Sequence, residues 1–193
     1  MIRTVCVYCA SSSRTPQIYL DAAASLGRTL AEAGLRVVYG GGSLGSMGRM
    51  AEAALAAGAH VTGVLPKFMD ELEWGHSGLS EQRLVEDMHE RKRLMLELSD
   101  AVVALPGGCG TLEELFEAIT WKRLGLFFGP IVMVNVNGFF DPCVALLNRA
   151  VDEQFMNERH REMWSVVDAP ELVVEALRSA PEWSRDARTF ATA

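Results

Sequence analysis

Two adjacent carboxylates, Glu113 and Glu114, follow directly on a glycine-rich turn, Leu105-Pro-Gly-Gly-Cys-Gly-Thr-Leu112. Cleavage of an N-glycosidic bond takes the sugar through an oxocarbenium-like state, and a fixed carboxylate stabilises the positive charge that develops there. The turn itself suits a phosphate. Ala101-Val-Val-Ala-Leu105 is short, apolar and rich in β-branched residues, so it reads as a buried strand. Pro106 to Gly110 continue neither strand nor helix, and their glycines permit a close backbone approach to a ligand. Thr111 then begins a helix to about Leu124, with Leu112, Leu115, Phe116 and Ile119 on one face. At such a junction, free N–H groups and the positive end of the helix dipole point at the same spot. A plainer reading is also open. Thr111 and Glu114 form a capping box, the threonine capping the helix and the glutamate reaching back to its N–H.

Arg91 and Lys92 are the second candidate group. Asp87 can cap a helix from Met88 to about Leu98, with Leu94, Met95 and Leu98 as its buried stripe. Arg91 and Lys92 then lie on the side of Met88. The plain alternative is a solvated basic face with Asp87–Arg91 and Arg93–Glu97 pairs. His89-Glu90 is not a zinc motif, because Arg93 stands where the second histidine belongs.

A second glycine turn, Gly40-Gly-Gly-Ser-Leu-Gly45, satisfies G-x-G-x-x-G literally. It follows the second strand rather than the first, and His60 to Leu65 offer no acid for a ribose hydroxyl, so the dinucleotide reading is weak. No G-K-[ST] follows to make a Walker motif. The turn leads into a helix from about Ser46 to Ala57, and Gly42, Ser43 and Gly45 are candidates for phosphate contact, a purely structural turn being the alternative. Two glycine loops on one sheet edge favour a mononucleotide site more than either does alone. Lys67 to Ser80 reads as a long loop holding Glu73, Trp74, Gly75 and His76, either functional or a solvated insertion.

Pro106-Gly-Gly-Cys-Gly-Thr-Leu-Glu-Glu114 resembles the P-G-G-x-G-T-x-x-E signature of the Lonely Guy family, cytokinin riboside 5′-monophosphate phosphoribohydrolases often labelled lysine decarboxylases. Met88-His-Glu-Arg-Lys92 resembles the family's second signature, and Gly40 to Gly48 its first glycine loop. The similarity runs from about Thr4 to about Val174. The resemblance implies hydrolysis of a nucleoside 5′-monophosphate, AMP-like or N6-prenylated, to free base and ribose 5-phosphate. It implies that Arg91 is catalytic together with Glu114. It assigns substrate contacts to Glu73, Arg91, Lys92, Gly107, Gly108, Cys109, Gly110, Thr111, Leu112, Glu113 and Thr120, and it implies a homodimer. A guanidinium is a poor proton donor, so electrostatic help to the departing base or the phosphate suits Arg91 best. Trp74 departs from the plant-like pattern. Two rivals stand beside this reading: a mononucleotide-binding module without chemistry, and a lysine decarboxylase. The latter needs pyridoxal phosphate on a lysine, and none of Lys67, Lys92 and Lys122 sits in a recognisable cofactor setting. No metal or organic cofactor is required.

The elements that position these groups form a β-α-β series. Thr4 to Cys9 is a first strand, Thr15 and Pro16 cap and open a helix closed by Gly34, and Arg36-Val-Val-Tyr39 is a second strand. Val61 to Leu65, Arg83 to Val85, Ile131 to Val136 and Ser165 to Val167 are further strands, with helices from Pro142 to about Glu153 and Pro170 to Ser179. The expected fold is a single-domain, Rossmann-like α/β three-layer sandwich with a mainly parallel sheet over 1–180, and a frayed tail over 181–193. Ligands bind such sheets at the carboxyl ends of the strands, where strand order reverses. Ile119, Trp121, Leu124, Leu126, Phe127 and Phe128 cover more than one helix face, which fits either core or an oligomer contact.

The length of 193 residues permits a sizeable core, and 22% charged residues describe an ordinary soluble chain. A net charge of −7 argues against a nucleic-acid polymer as partner. No apolar run approaches a membrane span and no signal-peptide pattern opens the chain, so a cytoplasmic protein is expected. Cys6 and Cys9 lie on one strand, three residues apart, and so point to opposite faces. They read, with Cys143, as free thiols. Cys109 lacks a local histidine and reads as a small spacer.

Overall fold

The computed structural model describes residues 1–72 and 74–191. Among these residues seven strands form one sheet in the order β4-β3-β2-β1-β5-β6-β7. They are β1 (Thr4–Tyr8), β2 (Arg36–Tyr39), β3 (Val61–Pro66), β4 (Glu81–Val85), β5 (Ala101–Ala104), β6 (Ile131–Val134) and β7 (Ser165–Val167). Every pairing is parallel. A parallel sheet is covered on both faces, which is why its inner strands are continuous valine, isoleucine and alanine runs rather than alternating ones. The chain winds outward from β1 through β2 to β4, then returns to the other side of β1 and winds outward through β5 to β7. The order therefore reverses between β1 and β5.

Helices cover both faces. Helix α1 (Gln17–Glu32), α2 (Gly45–Ala56) and α7 (Val173–Ser179) pack on the face that receives Val5, Val7 and Val103. Helix α4 (Met88–Glu97), α5 (Cys109–Arg123) and α6 (Asp141–Asp152) pack on the face that receives Cys6, Tyr8 and Val102. Cys6 and Cys9 belong to opposite layers, as the strand period demands, and burial pushes both thiols well above their ordinary pKa.

The structure differs from the sequence reading at several places. Lys67 to Ser80 is not one loop: Pro66 caps a short helix, α3 (Lys67–Glu71), with Asp70 in its first turn. Strand β4 begins at Glu81 rather than Arg83; its exposed Gln82 and Arg83 belong to a sheet edge, where polar side chains face water. Of the expected stripe of α4, Met95 is buried and Leu94 packs partly buried against the second layer, but Arg91, Lys92 and Leu96 complete the buried face and Leu98 is the exposed C-cap. Nor is the segment from 181 to 191 frayed. Trp183, Ala187 and Phe190 are buried in the second layer, and Trp183 Nε1 donates to the Lys122 carbonyl at 2.7 Å.

Helices α1 and α2 approach unusually closely at Gly27, where an added Cβ would lie 2.3 Å from the Met50 carbonyl oxygen and 2.9 Å from the Ala54 nitrogen. In an open helix, Gly→Ala gains about 0.5–1 kcal/mol. Here the obstacle is backbone that cannot rotate away, and overpacking costs about 1–3 kcal/mol, so the clash outweighs the propensity. Gly27→Ala is expected to lower the urea unfolding free energy by about 1–2 kcal/mol.

Candidate active site

The site begins with the placement of Arg91. Asp87 caps α4, its carboxylate accepting from the His89 and Glu90 backbone N–H groups at 2.8 Å each. The fixed first turn aims Arg91 under the sheet edge rather than at solvent. Its guanidinium donates through Nη1 to Glu114 Oε1 at 2.9 Å, through Nε to the Val64 carbonyl at 3.1 Å and through Nη2 to the Gly40 carbonyl at 3.1 Å. Arg91 is 5% exposed and Glu114 4%. Gly40 must be glycine here: a Cβ would sit 1.8 Å from Arg91 Nη2. The solvated Asp87–Arg91 pair is thus replaced by a buried Arg91–Glu114 pair, while Arg93 and Glu97 do face each other at 3.9 Å on the surface.

The capping box is not formed. Helix α5 starts at Cys109 with Gly108 in the capping position and no side-chain cap, so Thr111 is already its third residue. Gly107 is what lets the chain turn so tightly, since a Cβ there would lie 2.2 Å from Thr111 Oγ1. Glu114 is drawn to the guanidinium instead of back to the helix end. Burial raises its pKa above the ordinary carboxylate value, with the Arg91 charge pulling the other way.

A cavity of about 560 Å³ opens above this pair, at the carboxyl ends of the strands and at the reversal point between β1 and β5. One part of its wall is polar: Ser11 and Ser12 after β1, Gly42 and Ser43 after β2, Gly108, Cys109, Gly110 and Thr111 at the start of α5, and Arg91 with Glu114. The other part is apolar, made by Leu44, Met47, Leu65, Met69, Trp74 and Met88. The N-terminus of α5 and its unsatisfied backbone N–H groups therefore face a space of ordinary ligand size.

The structure brings together Arg91, Glu114, Gly42, Ser43 and Gly108 to Thr111, and leaves several expected residues outside the wall. Lys92 is buried, but against Glu113 and Glu117, the latter at 3.3 Å. Burial pulls its pKa down, and those two carboxylates outweigh it and raise it. Leu112 is partly buried against the second layer, and Thr120 is exposed far along α5, its hydroxyl donating to the Phe116 carbonyl at 2.8 Å. Gly45 lies under the loop after β1, with φ of +61° and no space for a Cβ beside the Ser12 and Ala10 carbonyls. Glu73 lies outside the described residues. The apolar wall was not anticipated as part of the site. Met47 and Met88 sit at helix starts, where a single apolar residue has no period to mark it; Trp74 carried a signal, as a tryptophan in a polar stretch.

None of the three lysines lines the cavity, so the site does not fit a pyridoxal Schiff base: Lys67 pairs with Glu86, Lys92 with its glutamates, and Lys122 donates to the Gly129 carbonyl at 2.9 Å. Among the described residues no group of three His, Cys, Asp or Glu side chains is placed to hold a metal ion.

A doubly wound α/β chain with a charged cleft at its switch point is the class that fold and site define. Within it, the chain belongs to the Lonely Guy family: residues 47–177 match the family model described as possible lysine decarboxylase. It is 44% identical over 184 residues to the cytokinin riboside 5′-monophosphate phosphoribohydrolase LOG of Oryza sativa subsp. japonica, covering 94% of this chain and 75% of that protein. It is 42% identical over 182 residues to LOG3 of Arabidopsis thaliana, which carries the same description, covering 93% of this chain and 84% of that one. Among solved structures, the molybdenum cofactor carrier protein of Chlamydomonas reinhardtii superposes with a TM-score of 0.73 at 20% identity, covering 93% of this chain and 98% of that one, a likeness of fold alone.

Removing Arg91 alone leaves a carboxylate buried without its partner and two carbonyls without donors. Breaking a buried pair costs about 3–5 kcal/mol, whereas replacing both members by apolar groups of similar size is often neutral. Arg91→Ala is therefore expected to be less stable to urea than Arg91→Met combined with Glu114→Leu, although both lack the pair.

Proposed function

We propose that this chain hydrolyses the N-glycosidic bond of a cytokinin-type nucleoside 5′-monophosphate, giving free base and ribose 5-phosphate. The observation that carries this reading is the buried Arg91–Glu114 pair in the wall of a cavity that also contains the N-terminus of α5. The phosphate lies against the Gly108 to Thr111 backbone, where N–H groups and helix dipole favour an anion. That anchors the ribose beside Glu114. As the bond to the base lengthens, positive charge grows on the sugar, and the fixed carboxylate stabilises it and orients the attacking water; the proton that water loses on forming the C–O bond balances the one the free base gains. Arg91 holds Glu114 in place through one N–H and offers its charge to the departing base or the phosphate.

Family membership extends the contact set to Glu73, Lys92, Glu113 and Thr120, a part of the proposal that rests on resemblance. The protein works as a cytoplasmic homodimer in this reading. Support for an apolar contact comes from the end of α5, where Phe127 is buried but Leu124 and Leu126 remain exposed. No helix among the described residues is long and apolar enough to cross a membrane.

Purified protein incubated with AMP and isopentenyladenosine monophosphate is expected to release free base, seen by chromatography, and to release none from the corresponding nucleosides. Binding without release would leave a mononucleotide-binding module. Arg91→Ala and Glu114→Gln are each expected to lower kcat by about a hundredfold or more; near-normal turnover in either would remove that residue from the mechanism. The reaction uses Glu114 as the carboxylate, and its pKa is raised by burial. The acid limb of kcat/KM should therefore fall as pH drops through a value above the ordinary glutamate pKa of about 4.3.

A further inference from the structure

Trp74 is the large side chain in this cavity that the proposed chemistry leaves without a task. It is 53% exposed, although exposing an indole is unfavourable. Its backbone is nevertheless pinned. The Trp74 N–H donates to the Met69 carbonyl at 3.2 Å, and its own carbonyl accepts from the Ser43 N–H at 3.2 Å and from Ser43 Oγ at 3.4 Å. On either side of these bonds, His76 N–H donates to the Gly41 carbonyl at 2.9 Å, and Gly42 and Gly75 form an antiparallel bridge. The segment 74–76 is thus stitched to the second glycine turn, and α3 is tied to β4 through Gln82 and Asp70 at 2.7 Å. A half-exposed indole on a fixed backbone, at the edge of the wall formed by Leu44, Leu65 and Met69, is an aromatic platform.

We propose that Trp74 is a specificity-determining residue of this site, its indole forming the face on which the purine base of the nucleotide stacks. The inference rests on the reading of the cavity as a nucleoside 5′-monophosphate site. The charged floor and the start of α5 take the sugar phosphate, which leaves the apolar wall for the base. Stacking on an indole selects a broad flat ring and tolerates an apolar substituent at its edge. Ser43 links this platform to the glycine turn beside the phosphate, so base and phosphate are held by one stitched unit.

The test compares AMP with ribose 5-phosphate, which has the phosphate and sugar but no base. Dissociation constants are measured by calorimetry in a Glu114→Gln background, which is too slow to consume the AMP, with position 74 wild type, Trp74→Ala or Trp74→Phe. The hydrogen bonds to Ser43 and Met69 come from the Trp74 main chain, so alanine keeps them. Trp74→Ala is expected to weaken AMP about tenfold and to leave ribose 5-phosphate within twofold, while Trp74→Phe stays within threefold of wild type for AMP. Unchanged AMP affinity in Trp74→Ala overturns the proposal. So does an equal loss for both ligands, which would mean a disturbed glycine turn, and so does a shift in oligomeric state on gel filtration, which would make Trp74 an assembly contact. Wild-type protein that binds AMP with this base dependence but releases no base would overturn the hydrolase reading and leave the stacking role standing.

Discussion

The guanidinium of Arg91 is the constraint on which the rest of the site depends. It gathers a carbonyl from β3, a carbonyl from the turn after β2 and a carboxylate from α5 around one buried charge. Each partner alone would be a poor occupant of that position. A buried carboxylate needs an opposite charge, and buried carbonyls need donors. The planar fork meets all three needs at once, which a lysine ammonium on a flexible stem would do less well. Such a pair is weak evidence for stability, since desolvating two ions costs several kcal/mol each. Its presence in the wall of a cavity is better explained by what it holds: Glu114, in one orientation, beside the N-terminus of α5.

The sheet makes this convergence possible. Because β1 lies at the centre and the chain leaves it in both directions, the turns after β1, β2 and β5 emerge side by side. Two of these turns are glycine-rich for different reasons. Gly40 and Gly107 clear space for Arg91 and Thr111, respectively, whereas Gly45, with φ of +61°, lets the start of α2 close against the loop after β1. What reads along the chain as two phosphate loops is therefore partly a packing requirement.

That distinction marks how far the sequence could be read. The inner strands were legible because burial on both faces leaves nothing but short apolar runs, and Asp87 was legible as a cap because its chemistry is local. The buried face of α4 was not. Periodicity assigns apolar residues to the inner face, and here Arg91 and Lys92 take that face because carboxylates on α5 await them. The false capping box has the same origin: Thr111 and Glu114 have the right spacing, but a guanidinium from another helix competes better for the glutamate than the helix's own backbone does. The tail misled for a related reason. Glu182, Arg185, Asp186 and Arg188 give the segment a solvated look, while Trp183 and Ala187 among them and Phe190 just after them fill the second layer.

The tail also explains why Glu114 can be held so firmly from one end of its helix. The last carbonyls of a helix lack partners within it and carry the negative end of its dipole. In α5 the Lys122 carbonyl accepts from the Gly125 N–H at 3.1 Å and the tail adds to this: Trp183 Nε1 donates to the same carbonyl at 2.7 Å, and Arg188 Nε to the Leu124 carbonyl at 3.2 Å. Arg123 returns the contact, its Nε donating to the Ala191 carbonyl at 3.0 Å. Beneath them Lys122 is buried against Trp183, and burial pulls its amine down to about 8. Arg91 fixes α5 near its start and the tail fixes its end. A helix clamped at both ends holds the Gly108 to Thr111 backbone and Glu114 as one edge of the cavity, which is what preorganisation of that carboxylate requires.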